Sequence, residues 1–170
     1  MKKLILIGSA LLLSLSSCNQ ENRYTQQSPE IDTYKKVIDD YRKMDWEAYA
    51  THYADNAKIA NNVLIEKAIN CAQSIEENKE QAKTFSWTVE KEEYEMVKTD
   101  DGETWVNFWG TWKGTLKASG KVYEIPFHNT AQFIDGKIVE EYGYWNNSEI
   151  VSDMLSTVKT PKDTVEVKAN

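Results

Sequence analysis

The segment from Lys121 to Asn147, which reads KVYEIPFHNTAQFIDGKIVEEYGYWNN, constrains the fold of this chain more than any other segment. It contains two alternating strand patterns joined at Asp135-Gly136, a dipeptide typical of tight hairpin turns. Five apolar residues of the first pattern share one face with the single polar residue Asn129: Tyr123, Ile125, Phe127, Ala131 and Phe133. A buried amide without a partner costs about 1 to 3 kcal/mol, so Asn129 faces either a ligand or a polar partner in the core.

The chain from Phe85 onwards continues the same period of two. Turn signals fall at Asp100-Asp101-Gly102, at Ser119-Gly120 and at Asp135-Gly136. They divide the sequence into four predicted strands of an antiparallel meander, at residues 85–98, 103–117, 121–134 and 137–147. The fold class predicted by helices followed by such a sheet is α+β, with the helices covering one sheet face.

Helical spacing dominates the sequence before this meander. Ser28 can cap a first helix that has Pro29 at its first position, and the apolar pattern restarts at Asp45 and runs to Tyr53. A short strand at residues 57–60 then precedes a third helix, whose apolar stripe begins at Ile65.

The second predicted strand shows which sheet face is covered. One side is apolar and contains both glycines of the strand: Val106, Phe108, Gly110, Trp112, Gly114 and Leu116. Glycine leaves room beside a sheet, so Phe108 and Trp112 would be walls of a cavity, with Gly143 a further opening on the last strand. The alternative is that these glycines mark bulges or bends of a curved sheet.

The amino terminus has the pattern of a signal peptide. Lys2 and Lys3 precede an apolar run from Leu4 to Leu15, which is shorter than the roughly 20 residues of a membrane span. The following Leu15-Ser16-Ser17-Cys18 resembles the bacterial lipobox, which implies a lipid on Cys18 and a cell-envelope location. Asn19 is compatible with the outer membrane by the same resemblance, and a plain secretory signal is the alternative.

Removal of residues 1–17 leaves 153 residues, enough for one domain. We expect a tether at 18–27, a domain at 28–155 and a polar tail at 156–170. Loss of two lysines changes the net charge from −7 to −9, which argues against a nucleic-acid partner.

The sequence gives no positive case for a metal or another cofactor. Its two histidines, His52 and His128, lie far apart, and no HxH, HExxH or CxxC spacing occurs. If Cys18 carries lipid, Cys71 has no partner for a disulfide within the chain, and we expect it on a helix and buried.

The order of elements and two short segments resemble the NTF2-like superfamily, including SnoaL-like proteins. These segments are YADNAKIANN at residues 53–62 and PFHNTAQFIDGKIVEEYGYW at residues 126–145, and the resemblance covers about residues 30–150. It implies a cone of helices packed on a curved antiparallel sheet, with a pocket between the two layers.

Ketosteroid isomerases within this superfamily give the sharpest comparison. Their aspartate base, their protonated aspartic acid and their helix tyrosine correspond by this resemblance to Asn61, Asn129 and Val37. Asparagine has no proton to exchange near neutral pH, so the comparison favours a non-catalytic module that binds a small molecule, apolar or of mixed polarity. The residues expected to line its site are these: Asn61, Phe108, Trp112, Phe127, Asn129 and Trp145. Trp145 as an ordinary core aromatic is the alternative.

Glu141 supports a second hypothesis, a pocket enzyme of isomerase, cyclase or hydrolase type. Counting by twos from Trp145 through Gly143 places Glu141 on the inward face, where burial would raise its pKa and suit it to acid/base chemistry. The alternative is a twist or bulge that leaves Glu140 and Glu141 as a solvated pair. His52 is expected on the second helix and His128 on the outer sheet face, and neither is assigned a catalytic role.

The outer sheet face carries Trp105 and Trp109, an aromatic pair too large to leave exposed without a use. By resemblance to NTF2-like proteins, which commonly dimerise through this face, we expect a homodimer. Packing of the carboxy-terminal segment over the pair is the alternative. A third hypothesis is therefore a dimeric interaction domain whose cone is filled by its own side chains.

Overall fold

The computed structural model describes residues 23–158. These residues form four helices and six strands, and a short 3-10 turn at Ile65–Lys67. The helices are α1 (Pro29–Lys43), α2 (Trp46–Ala50), α3 (Cys71–Thr84) and α4 (Ser148–Val158). The strands are β1 (Tyr24–Thr25), β2 (Tyr53–Asn61), β3 (Phe85–Lys98), β4 (Thr104–Leu116), β5 (Val122–Ile134) and β6 (Lys137–Trp145). The predicted signal peptide and Cys18 lie outside the described residues.

The strands form one sheet in the order β1-β3-β4-β5-β6-β2, antiparallel throughout except for the parallel pair of β2 and β6. The three hairpins of the meander lie at the predicted turns, and each predicted strand agrees with the observed one to within two residues. Helix α1 packs its apolar stripe, which includes the fully buried Ile31 and Tyr34, against this sheet. The α+β prediction is confirmed.

Helix α1 begins where the sequence predicted. The Ser28 hydroxyl accepts a hydrogen bond from the Ile31 amide at 3.2 Å, and Pro29 occupies the first turn, where it has no amide hydrogen to leave unpaired. Met44 ends the helix in a left-handed conformation, with φ of 58°. This short break before Asp45 separates α1 from α2.

The second predicted helix extended too far at its carboxy-terminal end. Helix α2 ends at Ala50, and Tyr53, expected on that helix, begins β2 because it pairs with Ile138 of β6. His52 lies in the intervening turn, where its Nε2 is 2.8 Å from Asp40 Oδ2. Strand β2 is accordingly longer than the predicted piece at 57–60.

Helix α3 begins at Cys71 and not at Ile65. Ile69 is held extended by two backbone hydrogen bonds to Ile59, of 2.8 and 2.9 Å. Asn70 then caps the helix in a reciprocal arrangement with Gln73. The helical spacing of the apolar residues before Cys71 was therefore overridden by strand pairing.

Both ends of the domain extend beyond the predicted limits. Tyr24 and Thr25, within the predicted tether, pair with Val97 and Met96 at the edge of β3. Helix α4 lies beyond β6, and the predicted tail from Ser156 overlaps its last turn. Among residues 23–158, no helix is long and apolar enough to cross a membrane.

Candidate functional site

One patch of the concave sheet face is only partly buried. Many inward-facing residues, such as Val106 and Ala131, are buried under the helices. Besides Tyr94 and Leu116, which lie elsewhere on this face, four inward-facing residues of β2, β5 and β6 are partly buried: Asn61, Phe127, Asn129 and Trp145. All four belong to the set that the sequence predicted to line a ligand site, and we call the patch that they form the concave opening.

Gly143 lies at the centre of the concave opening, paired with Asn61 on one side and Asn129 on the other. A Cβ atom at this position would stand 2.5 Å from Asn61 Oδ1, 2.7 Å from the Trp145 ring and 3.2 Å from Asn129 Oδ1. Distances below 3.0 Å are too short for real Cβ contacts. Glycine is therefore required for the two amides and the indole to converge here.

Glu141 lies directly behind this opening, with only 4% of its surface exposed. Its Oε1 accepts hydrogen bonds from the Tyr34 hydroxyl at 2.5 Å and from Asn129 Nδ2 at 2.9 Å. Its Oε2 accepts one from the Tyr53 hydroxyl at 2.6 Å. The solvated alternative is wrong, because strand alternation continues to Glu141, and the β-bulge falls between Gln132 and Phe133, beyond this position.

A third tyrosine, Tyr49, extends the cluster toward the helices. The Tyr49 and Tyr53 hydroxyl oxygens are 2.8 Å apart, and both side chains are buried. Asn129 Nδ2 also donates to the Tyr34 hydroxyl at 3.0 Å. Elements distant in sequence thus combine to hold one carboxyl group: α1, α2, β2, β5 and β6.

Burial raises the pKa of the Glu141 carboxyl above its ordinary value, and the hydrogen bonds from Tyr34, Tyr53 and Asn129 oppose this rise. The pKa values of Tyr34, Tyr49 and Tyr53 are raised well above 10, by burial and then by the charge of Glu141. These hydroxyls therefore remain protonated and act as donors near neutral pH. The cluster is a carboxyl group able to hold a proton, surrounded by fixed donors.

The two remaining predicted ligand residues are not at the opening. Phe108 is completely buried, and its ring with that of Phe127 fills the space above Gly110. The Trp112 ring lies over Gly114, where a Cβ atom would stand 1.8 Å away. The room expected beside these two glycines is therefore occupied by aromatic rings of the same chain, because large neighbours on the same strand fold over the missing side chains.

Sequence reasoning missed the tyrosines that bind Glu141. The isomerase comparison assigned the helix tyrosine to Val37, which is a buried apolar residue, whereas Tyr34 lies one turn earlier and contacts the carboxyl. A signal was present, since Tyr34 lies on the buried stripe of α1 and a buried phenol needs a partner. Tyr53 was missed because it was assigned to a helix.

The histidines and the cysteine lie outside this cluster. His128 is on the convex face, as expected, where Nδ1 is 2.9 Å from the Phe108 carbonyl oxygen. Cys71 is at the first turn of α3 and is partly exposed, contrary to the expected burial, because it stands at the helix end and not on its packed face. Burial and then the charge of Glu141 raise its pKa to about 11.

The convex face carries a row of stacked rings. Trp109 packs against His128 with ring centroids 4.8 Å apart, and His128 against Tyr144 at 6.4 Å. Trp109 is 40% exposed and Tyr144 50%. Trp105 is partly buried and stacks on Tyr142 at 6.3 Å. We call these the convex aromatic row: Trp105, Trp109, His128, Tyr142 and Tyr144.

A surface groove of about 460 Å³ lies on the same side of β6 as Tyr144, away from Glu141. It is lined by Asn62, Val63, Leu64, Lys67 and Tyr144. Within the described part of the chain, no three acidic, histidine or cysteine side chains are placed to hold a metal ion. The cluster at Glu141 is the stronger candidate for chemistry, because it holds a buried carboxyl group among fixed donors.

Solved structures with the same architecture come from several bacteria. A candidate polyketide cyclase from Xanthomonas campestris has a TM-score of 0.63 at 14% identity, covering 75% of this chain and 98% of that one. A candidate isomerase from Bacillus subtilis has a TM-score of 0.60 at 18% identity, with coverages of 75% and 93%.

A third similar structure is a protein of ketosteroid isomerase-like fold from Catenulispora acidiphila, in complex with trimethylamine. Its TM-score is 0.57 at 11% identity, covering 71% of this chain and 90% of that one. No family model and no curated protein matches the sequence. At such low identity these similarities establish architecture alone, and the chain has the NTF2-like α+β fold.

Proposed function

We propose that this protein is an acid/base enzyme that acts on a small molecule at the concave opening, with Glu141 as the group that takes and returns a proton. The observation that carries the proposal is the position of Glu141, a buried carboxyl directly behind a partly exposed patch of the concave face. A titratable group with a raised pKa in such a place is typical of functional sites. The polyketide cyclase and isomerase candidates with this fold are consistent with that chemistry.

The reaction class that suits these residues is proton transfer at a carbon next to a carbonyl. The Glu141 carboxylate takes the proton from carbon, and the electron pair of the C–H bond moves to the carbonyl oxygen as an enolate. Tyr34 and Tyr53 each donate their single hydroxyl hydrogen to Glu141, so they hold the carboxylate in place for the proton transfer. Asn129 lies between the opening and Glu141 Oε1, so a substrate carbon reaches the carboxylate when this side chain moves aside.

Binding without turnover is the second candidate. Three donors already bind the Glu141 carboxyl, and this favours a structural role for it. In that role Glu141 holds Asn129 and the tyrosines in place around a ligand. The rings over Gly110 and Gly114 favour a third candidate, a filled cone whose role is interaction with another protein. An exchange assay separates the enzyme from the other two candidates, and a binding measurement then separates those two.

The assay is hydrogen–deuterium exchange at the carbon next to the carbonyl of 1-tetralone and 6-hydroxy-1-tetralone, followed by proton NMR in D₂O. We expect the wild-type chain to accelerate exchange and Glu141→Gln to lose at least ~100-fold of that acceleration, since general acid/base catalysis contributes about 10² to 10⁴. Glu140→Gln is the matched control, because Glu140 is the neighbouring acid and accepts from Tyr142 on the convex face. Acceleration that survives Glu141→Gln would exclude the proposed base.

Native mass spectrometry of the chain purified from its own host separates the other two candidates. A reproducible bound molecule without exchange activity would favour binding alone. Neither bound molecule nor exchange would favour the filled interaction domain.

We further propose that the domain is held at the bacterial cell envelope, at the outer membrane, by lipid on Cys18. The lipobox-like Leu15-Ser16-Ser17-Cys18 and the apolar run before it support this proposal. Metabolic labelling with an alkyne fatty acid should mark the wild-type chain, and Cys18→Ala should abolish the label. A label that persists in Cys18→Ala would contradict the anchor.

A homodimer through the convex aromatic row is part of the same proposal. Trp109 and Tyr144 leave apolar surface exposed in the single chain. The described contacts of helix α4 are not with this row. Asp153 binds Lys121 and Tyr123. Ile150 packs against the cluster around Tyr123, which faces inward.

A further inference from the structure

The surface groove beside Tyr144 is held by hydrogen bonds to strand β6 on both sides of that residue. The Asn62 amide donates to the Gly143 carbonyl oxygen at 2.8 Å, and Asn62 Oδ1 accepts from the Trp145 amide at 3.1 Å. Asn62 is left-handed, with φ of 54°, a conformation that asparagine adopts more readily than most residues. The loop after β2 is therefore fixed next to Tyr144, and the groove between them is preformed.

The walls of this groove are apolar. Val63, Leu64 and Tyr144 line it, and Leu64 is 72% exposed although it is aliphatic. The Lys67 amide donates to the Leu64 carbonyl oxygen at 2.9 Å and so closes the turn that holds Leu64 there. Four of the five lining residues belong to this loop and its turn, outside the convex aromatic row. The volume of about 460 Å³ suits a small molecule, since such sites typically have about 300 to 1,000 Å³.

The two polar side chains of the loop at this groove both offer hydrogen-bond donors. Asn62 uses its amide oxygen to accept from Trp145, so its Nδ2 presents only N–H groups. Lys67 forms no ion pair within residues 23–158, whereas Lys79 and Lys121 each bind a carboxylate of the same chain. The chain has a net charge of −7, yet no acidic residue lines the groove. The groove is therefore complementary to an anion.

We propose that this groove binds a small apolar monocarboxylate, such as the anion of a medium-chain fatty acid. The alkyl chain of the ligand covers Val63, Leu64 and the Tyr144 ring, which removes their apolar surface from water. Its carboxylate accepts hydrogen bonds from Lys67 Nζ and Asn62 Nδ2. The groove lies on the convex side of β6, so this binding site is additional to the one proposed at the concave opening.

The test compares octanoate with 1-octanol, which has the same chain length but no charge, by calorimetric titration of the full chain near neutral pH and at low salt. A purely apolar surface favours the alcohol, because a carboxylate is the more costly group to remove from water. We expect octanoate to bind at least ~3-fold more tightly, since hydrogen bonds to charged groups are about twice as strong as neutral ones. Lys67→Met keeps the length of the side chain and should reverse this preference.

Matched controls separate the groove from the rest of the surface. Lys58→Met should keep the preference for octanoate, because Lys58 is an exposed lysine of β2 that does not line the groove. Leu64→Ser should weaken the binding of both probes by at least ~3-fold, since each loses an apolar contact. Leu155→Ser, at an exposed position of α4, should change neither affinity.

Amide chemical shifts of the isotope-labelled chain report where octanoate binds. The signals of residues 62–67 and Tyr144 should move during the titration, and that of Asn129, at the concave opening, should stay in place. Tighter binding of 1-octanol by the wild type or no binding of either probe would overturn the inference. So would an unchanged preference in Lys67→Met, or shifts confined to the concave opening.

Discussion

At the scale of single residues, the hydrogen bonds to Glu141 make the clearest prediction. Tyr34→Phe removes the 2.5 Å donor to Oε1 without changing the shape of the side chain. We expect a loss of about 1.5 to 3 kcal/mol in the free energy of unfolding, the range for hydrogen bonds to charged groups, measured by urea denaturation. Tyr142→Phe removes a similar bond to Glu140 on the convex face and should cost less than about 1 kcal/mol. Equal losses would contradict the special role of the buried carboxyl.

Glu141 also makes stability depend on pH. Its pKa in the folded state is raised above the ordinary 4.5 of the unfolded chain, chiefly by burial. The folded chain therefore keeps this proton at pH values where the unfolded chain has released it, and the stability contributed by Glu141 falls as the pH rises through that window. We expect the melting temperature of the wild type minus that of Glu141→Gln to decrease from about pH 4.5 upwards.

Thermal melts between about pH 4.5 and pH 8 check this sign. Glu140→Gln, on the same strand, serves as the reference for effects that do not involve burial. A difference between wild type and Glu141→Gln that is constant or rises with pH would contradict a raised pKa.

At the scale of elements, strand β4 shows how glycine serves packing. The Trp112 ring covers Gly114, so a methyl group there would stand 1.8 Å from a ring atom. We expect Gly114→Ala to displace the Trp112 ring and to lower the free energy of unfolding by about 1 to 3 kcal/mol, measured by urea denaturation with tryptophan fluorescence.

Ser86→Ala, at an exposed position of the neighbouring strand β3, is the control and should change stability by less than about 0.5 kcal/mol. An alanine at position 114 without loss of stability would mean that the ring can move aside at little cost. Space for a ligand would then be available beside β4, as the glycines alone suggested.

At the scale of the whole molecule, the proposed dimer depends on the convex aromatic row. Trp105→Ser together with Trp109→Ser should weaken self-association by at least ~30-fold, since buried interface tryptophans often contribute 2 kcal/mol or more. Sedimentation velocity over a range of concentrations measures this change. Leu155→Ser removes exposed apolar surface from α4, a helix whose described contacts are with Lys121, Tyr123 and the inward-facing cluster, and it should leave association unchanged. A dimer that survives the double substitution would exclude this interface.

The sequence by itself determined the elements that depend on local periodicity and turn chemistry. The strands of the meander and the inward direction of Asn129 follow from the alternation of side chains and from the Asp-Gly turns. The start of α1 follows from Ser28, whose oxygen accepts a hydrogen bond from an amide of the first turn. Alternation also gave the inward direction of Glu141.

Tertiary structure alone decided the surroundings of those residues. The pairing of β2 with β6 turned Tyr53 from a helix residue into a strand residue, and α1 brought Tyr34 to a carboxyl 107 positions away in the chain. Likewise, the rings that fill the space over Gly110 and Gly114 were invisible in the sequence, because a glycine marks missing volume without showing what occupies it. Periodicity reports the direction of a side chain from its own strand or helix, whereas its partners come from distant segments that meet only when the layers pack.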